Sequence, residues 1–574
     1  MCGFAGALAL GSGEATDRKT LEAMTDALYH RGPDGRGIEL AGEIGLGHRR
    51  LRIIDLSSRA DQPMWSRSRH LAIVFNGEIY NYQELRRELT RSGARLSTRS
   101  DTEVVLELFG REGIEAVRRL DGMFALAVWD ARRRLLFLAR DRCGKKPLYF
   151  FDDGRRFLFA SEIKAIHRHP AVSREPNLDA FPHYLTYGYF PQPQTPYAKV
   201  EALAPATWMV VNPASGARTT ERYWRPRFEV NGIRCMPEAI EALLPLAREA
   251  VRKRLVSDVP VGAFLSGGLD STIVVGLMNE SMSRPPSTFS IGFEGSPDYD
   301  ELSFAEEAAG AFGCDHESFR IPPPSPEILD ELVRHHDGPF GDSSAIPTYV
   351  LSRLARLRVK VILNGDGGDE LFCGYSRLAA AAISERIPES LRRLGALGGR
   401  LLPWPRTHAG SLRRLRQFLE LSARPLRERI QAWCSLFDAG QLKELLVRPP
   451  RARPADHFEE PLGEIQGASP LARLLYLNYR TYLPEDLLVK MDRMTMAHGL
   501  EARSPFLDQG LTEFAGTLPD SLKLRGVTTK AVLREAFRNL VPESIRKRRK
   551  MGFGVPLGSW FRGRLRPVLE EELL

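Results

Sequence analysis

Cys2 follows the initiator methionine directly. Removal of Met1 puts a thiol and an α-amino group on one residue. An α-amine with an intrinsic pKa of roughly 7.7–8.0 is then a built-in general base, which is the logic of an N-terminal nucleophile. A second chemical signal lies far downstream, where Ser266-Gly267-Gly268-Leu269-Asp270-Ser271 separates the apolar run VPVGAFL (259–265) from the apolar stretch TIVVGLMNESM. Glycines let a backbone approach phosphates closely, hydroxyls and N–H groups donate to their oxygens, and a helix N-terminus favours the anion. The chain has no GxxxxGK[ST] motif, so transfer of a γ-phosphate is not the natural reading. A further run, GDGGDELFCGY (365–375), places acids after another apolar segment, VKVILN (359–364).

Elements must carry these groups. From Cys2 to about Ile166 the pattern is of short β-rich runs: FAGALAL, IGLGHRRLRIID, LAIVFNGEIY, MFALAVWD and LLFLARD. Helices are expected within 83–92 and at 101–112, the second capped by Asp101 with Val104, Val105, Leu108 and Phe109 at helical spacing. Residues 191–235, rich in proline and turn signals, read as a connecting segment. Two domains are therefore expected, at 2–190 and 236–574. In the second, buried apolar strands alternating with helices imply a doubly wound parallel sheet with ligands at the carboxyl ends of its strands, followed by a helical C-terminal part.

Composition narrows the class. With 574 residues, 43% hydrophobic and 27% charged, the chain can bury more than one core, and disorder, collagen and a disulfide scaffold are excluded. Six cysteines without a CxxC pair or zinc spacing fit free thiols in a reducing compartment. A net charge of +9 suits anionic small molecules but is too dilute to mark a nucleic-acid binder. The basic run IRKRRK (545–550) reads as solvated or close to a bound nucleotide. No apolar run reaches the roughly 18 residues of a membrane span, and the N-terminus lacks a basic leader, so a cytoplasmic enzyme without membrane or nucleic-acid partners is expected.

In order along the chain, MCGFAG, HRGPD (30–34), GHRRLRIIDL (47–56), FNGEIYN (75–81), SDTE (100–103) and RDRCGKKPLY (140–149) together resemble the glutaminase domain of class II glutamine amidotransferases. That resemblance implies an αββα N-terminal-nucleophile sandwich in which Cys2 attacks glutamine. Asn76 and Gly77 would form the oxyanion hole, and Arg50 would bind the substrate α-carboxylate. Glu78 and Asp101 would hold its ammonium, and Ile53 would offer a backbone carbonyl. SGGLDS resembles the pyrophosphate loop of N-type ATP pyrophosphatases, which split ATP between the α and β phosphates. By that likeness Leu265, Ser266, Gly267, Gly268, Leu269, Asp270, Ser271, Ile291, Asn364 and Gly365 would frame ATP. Asp270 and Asp369 would bind Mg2+, and Lys530 would stabilise the adenylation transition state.

DGPFGDSSAIP (337–347), the segment 486–508 ending in EARSPFLD, and KMGFGVPLGSWF (550–561) extend the likeness over nearly the whole chain, to the bacterial type of glutamine-hydrolysing asparagine synthetases. The implied reaction uses glutamine, ATP and aspartate, with ammonia carried internally and so kept from protonation in water. A homodimer is the family expectation. Three residues depart from the pattern. Asp366, expected to process the acyl-adenylate, replaces the usual Glu, Ser504 stands where Val is common near the ammonia route, and Cys143 lies in a motif that seldom carries Cys. The shorter Asp366 leaves the acceptor open between aspartate and another carboxylate, such as a uronic acid of a surface polysaccharide.

Overall fold

A computed structural model describes residues 2–402, 411–447, 453–548, 550–552 and 554–573. The N-terminal half is built on two antiparallel six-stranded sheets. One runs in the order Val200–Ala202, Tyr149–Asp152, Arg156–Ala160, Gly3–Ala9, Ile44–Arg50 and Gly35–Ala41. The other runs Arg218–Arg222, Thr207–Val211, Leu135–Arg140, Gly122–Asp130, Leu71–Ile79 and Met64–Trp65.

Strand alternation decides what each face touches. Phe4 and Leu8 of the first sheet pack against Ala72, Val74, Ala125 and Ala127 of the second, forming the core between them. The intervening Ala5 and Ala7 are small and face outward, under Met24 and Leu28 of the helix that begins at Arg18 and of its continuation. Leu71, Ile73 and Phe75 likewise face outward, against Val104, Val105 and Leu108 of the helix Asp101–Glu112. The result is the expected αββα sandwich. By the same period of two, Cys2 shares the inner face of Phe4, and Asn76 shares that of Val74.

Two local readings need correction. Asp101 is the first residue of its helix, and the cap is Ser100, whose side chain accepts from the Thr102 N–H. The extended backbone at Ser100 suits a cap. Residues 191–235 do not merely connect. Val200–Ala202 pairs with Tyr149–Asp152, and Thr207–Val211 pairs with both Leu135–Arg140 and Arg218–Arg222, so this segment finishes both sheets. Its prolines hid strands that are only three to five residues long.

The C-terminal half is organised by a parallel sheet in the order Asp315–Ile321, Ser287–Phe293, Val261–Phe264, Val361–Leu363 and Glu501–Arg503. The helix Leu269–Ser281 is buried along Leu269 and Ser271–Met278, which its continuous apolar sequence requires. Beyond residue 376 the described chain is mostly helical. Among the described residues no helix is long and apolar enough to cross a membrane.

The two halves meet through buried charge rather than through an apolar seam alone. Arg31 donates to Glu162 at 2.7 Å and to Asp492 at 2.8 Å, Lys146 reaches Asp492 at 3.2 Å, and Arg493 reaches Glu162 at 3.0 Å and Asp337 at 3.1 Å. Removing one partner of such a cluster strands the others in a low dielectric. Asp492→Asn is therefore expected to cost about 3–5 kcal/mol of stability. Burial opposes the Asp492 carboxylate, yet Arg31 and Lys146 hold it at about 2, below the roughly 3.9 of an unfolded Asp. Its contribution is thus full above the unfolded value and is lost as pH falls through the folded one. Urea midpoints of the wild type and Asp492→Asn should converge between about pH 4 and pH 2.

Candidate active sites

Cys2 is buried at the start of its strand, and its N–H donates to Asn76 Oδ1 at 3.1 Å. The Cys2 carbonyl accepts from Arg31 Nε at 3.1 Å, which locks the backbone at Cys2. Burial pushes the Cys2 thiol above its usual pKa. Asn76 Nδ2 is buried and has no hydrogen-bond partner among the described residues. A buried amide donor left open at the nucleophile is what an oxyanion requires. A Cβ on Gly77 would lie 2.2 Å from the Met123 carbonyl, so only glycine fits this strand pairing. Asn76→Ala should lower kcat for glutamine hydrolysis about 100- to 1,000-fold, with little change in KM, in a steady-state glutaminase assay.

Of the remaining predicted glutamine ligands, Arg50 is near enough to Cys2 for its charge to favour the thiolate. Glu78 lies 3.3 Å from Arg503 Nη2 and is pushed well above the carboxylate range by burial. Asp101 accepts from the N–H groups of Ile79 at 3.1 Å and Thr102 at 2.8 Å, and burial lifts it to about 6. The Ile53 carbonyl accepts from the Asp258 N–H at 3.0 Å. Arg50 is more committed than expected: its terminal nitrogens donate to the carbonyls of Ser57, Ile54 and Asp55 and to Asp61 Oδ1 at 2.7 Å. The Asp61 side chain is 32% exposed.

The second site is a cavity of about 520 Å3 at the carboxyl ends of the parallel strands. Every predicted ATP-framing residue except Gly267 lines it, as do Asp366, Asp369 and Lys530. Gly267 has φ +63°, and a Cβ there would lie 2.5 Å from the Phe304 backbone, so it shapes the loop from behind. Ser266 Oγ and Ser271 Oγ are 3.1 Å apart, and the Gly268 N–H donates to Ser266 Oγ at 3.3 Å. Lys530 Nζ pairs with both Asp270 and Asp369, Lys550 also pairs with Asp369, and Asp270 Oδ1 is buried without a partner among the described residues. Two hard-oxygen donors converging on one point, with an oxygen to spare, fit a magnesium ion. Gly365 and Gly368 are needed there, since a Cβ on either would lie within 2.9 Å of an Asp270 side-chain atom.

Two cavity-lining residues escaped the motif reading. Arg377 lines the cavity with its guanidinium 4.6 Å from the Tyr375 ring and 5.1 Å from the Tyr482 ring, and its Nε has no partner among the described residues. Lys490 lines the same wall and binds Asp342 at 2.6 Å and Ser344 at 2.8 Å. The basic run 545–550 does lie at the cavity: Arg548 and Lys550 line it, while Arg549 falls outside the described residues, as does Phe553 of the 550–561 segment. Cys143 Sγ is 3.0 Å from Tyr479 Oη, and burial pushes its thiol up to about 12, which makes it a packing group and not a reactive one.

Residues 242–574 match the family model described as asparagine synthase, and residues 1–224 match the one described as glutamine amidotransferase domain. The chain belongs to the asparagine synthase family. It is 34% identical to asparagine synthetase [glutamine-hydrolyzing] 1 of Bacillus subtilis strain 168, over 98% of this chain and 88% of that one. A putative asparagine synthetase [glutamine-hydrolyzing] of Mycobacterium tuberculosis H37Rv is 35% identical over the same shares. The amidase chyE of Penicillium rubens is 27% identical, over 96% of this chain and 87% of that one. As a member of the asparagine synthase family, the protein is a glutamine-dependent amide ligase.

Proposed function

We propose that the protein hydrolyses glutamine at Cys2 and delivers the ammonia to a carboxylate activated as its adenylate at the 266–271 loop. Aspartate is the acceptor, and the products are asparagine, glutamate, AMP and pyrophosphate. The observation that carries this reading is one shared cavity lined by the hydroxyl loop, Asp270, Asp369, Lys530, Asp366 and Arg377.

At the first site the freed α-amine of Cys2 takes the thiol proton, and Sγ attacks the glutamine amide carbon. The Asn76 amide and the Gly77 N–H receive the developing oxyanion. Glu78 and Asp101 hold the substrate ammonium, and Arg50 its carboxylate, with the Ile53 carbonyl beside them. At the second site Ser266, Gly268 and Ser271 bind phosphate oxygens, while Leu265, Ile291, Asn364 and Gly365 frame the nucleotide. Asp270 and Asp369 would hold Mg2+, which when bound would neutralise the leaving pyrophosphate. Lys530 offsets charge as the α-phosphate passes to the acceptor. Arg377, a guanidinium against the rings of Tyr375 and Tyr482 whose Nε has no partner among the described residues, suits the α-carboxylate of aspartate, a group that a simple uronic acid lacks.

A second reading keeps both half-reactions and changes the acceptor to another carboxylate, such as a uronic acid. It is favoured by Asp366, one methylene shorter than the usual Glu, and by the amidase name of the Penicillium relative. The test is pyrophosphate release from ATP, Mg2+ and amide-labelled glutamine, with and without aspartate. Aspartate-dependent pyrophosphate together with labelled asparagine is the expected result. Glutamine hydrolysis with neither product would transfer the assignment to the second reading, and a panel of uronic acids would follow.

A further inference from the structure

The loop between strands Leu135–Arg140 and Tyr149–Asp152 carries Lys145 across the domain boundary. Lys145 Nζ donates to Ser504 Oγ at 2.6 Å, Ser504 Oγ donates to Asn364 Oδ1 at 2.6 Å, and Asn364 Nδ2 donates to Asp366 Oδ2 at 2.8 Å. Lys145, Ser504 and Asn364 are all buried. Each link points the same way, so each bond polarises the next. Asn364 Oδ1 also accepts from the Asp366 N–H at 3.3 Å. The amide of Asn364 has one correct face, and the Ser504 hydroxyl selects it.

Other charges facing Asp366 are Lys490, Lys550 and Glu370. Lys490 is bonded to Asp342 and Ser344, Lys550 is paired with Asp369, and Glu370 accepts from Tyr375 Oη at 2.5 Å. Lys145, by contrast, has no carboxylate in ion-pair contact among the described residues. Its charge is therefore directed down the chain to Asp366. Burial, with Lys146 alongside, brings Lys145 down to about 7. The relay persists in either protonation state, since a neutral amine still donates.

We infer that Lys145 is a positioning residue of the synthetase site, holding the Asp366 carboxylate toward the activated acceptor through Ser504 and Asn364. The amidotransferase domain thereby completes the machinery that consumes its own ammonia. This role rests on the proposed adenylation reaction.

The test uses the full-length enzyme with ammonium salts as nitrogen donor, so that glutamine chemistry does not intervene, and takes glutamine hydrolysis as the control for folding. Lys145→Met should lower kcat for amide formation at least about tenfold and leave KM for ATP within about twofold. Lys145→Arg should restore most of the rate. Ser504→Val should match the loss, and the double variant should lose nothing more, because both changes cut one chain. Unchanged kcat, additive losses, or a rise in KM for ATP equal to the loss of rate would overturn the inference. An arm that needs no acceptor is hydrogen exchange at the Asp366 amide, which reports the orientation of Asn364. It should speed up in Lys145→Met and Ser504→Val and recover in Lys145→Arg. Unaltered exchange overturns the relay, whereas a wild-type enzyme that makes no asparagine from aspartate overturns only the acceptor.

Discussion

A Cys2→Ala protein is expected to lose glutamine-dependent amide formation by more than about a thousandfold while still forming the amide from ammonium salts. The geometry demands both halves of this result. Cys2 is held at its N–H by Asn76 and at its carbonyl by Arg31, so trimming Sγ removes the nucleophile without releasing the backbone. The cavity at the carboxyl ends of the parallel strands does not include Cys2 among its lining residues, so the adenylation proposed there would have no need of the thiol. The measurement is amide product against glutamine and against ammonium chloride in parallel. Loss with both donors would contradict two separable sites.

Asp270→Asn is expected to give the mirror image: pyrophosphate release falls about 100- to 1,000-fold, and glutamine hydrolysis at Cys2 continues. The substitution keeps the shape of the side chain and deletes its charge. That matters at a point where Lys530 and an acid from the first turn of each of two helices meet, and where one Asp270 oxygen is buried with no partner among the described residues. Titration of Mg2+ against pyrophosphate release should also show a weaker metal dependence in the variant. Undiminished release would remove the 266–271 loop from phosphate chemistry.

The positions legible in the sequence share a physical property. Cys2 and the 266–271 loop lie at strand ends and Asn76 lies within the strand Leu71–Ile79, where motif spacing follows directly from strand period and turn chemistry. What stayed hidden depends on contacts remote in sequence. Glu501–Arg503 is a fully buried three-residue strand of polar composition, and nothing local marks Glu-Ala-Arg as sheet. Its charges are tolerable because Arg503 meets Glu501 at 2.6 Å and Glu78 at 3.3 Å, the latter more than 400 residues away, and donates to the carbonyls of Arg254 at 2.8 Å and Val256 at 2.7 Å. Arg31 reads as part of a turn in HRGPD, yet it is buried between Glu162 and Asp492. Lys145 and Arg377 read as ordinary basic residues until the fold places one at a domain boundary and the other against the rings of Tyr375 and Tyr482. The strands of residues 200–222 were missed for the opposite reason: their local composition is that of a connector, and sheet pairing overrides it.

The bond from Arg31 to the Cys2 carbonyl has a consequence for any attempt at domain exchange. The same guanidinium that fixes the Cys2 carbonyl is neutralised in part by Asp492, a residue of the other half. Cut after the first half and expressed alone, the fragment would retain Arg31 and Lys146 without Asp492, two buried cations facing a vacated surface. Transplanted onto a foreign partner, it would carry its nucleophile on a tether whose far anchor is missing. The chain is therefore not two interchangeable cassettes in series but one machine whose first working part is bolted down by its second.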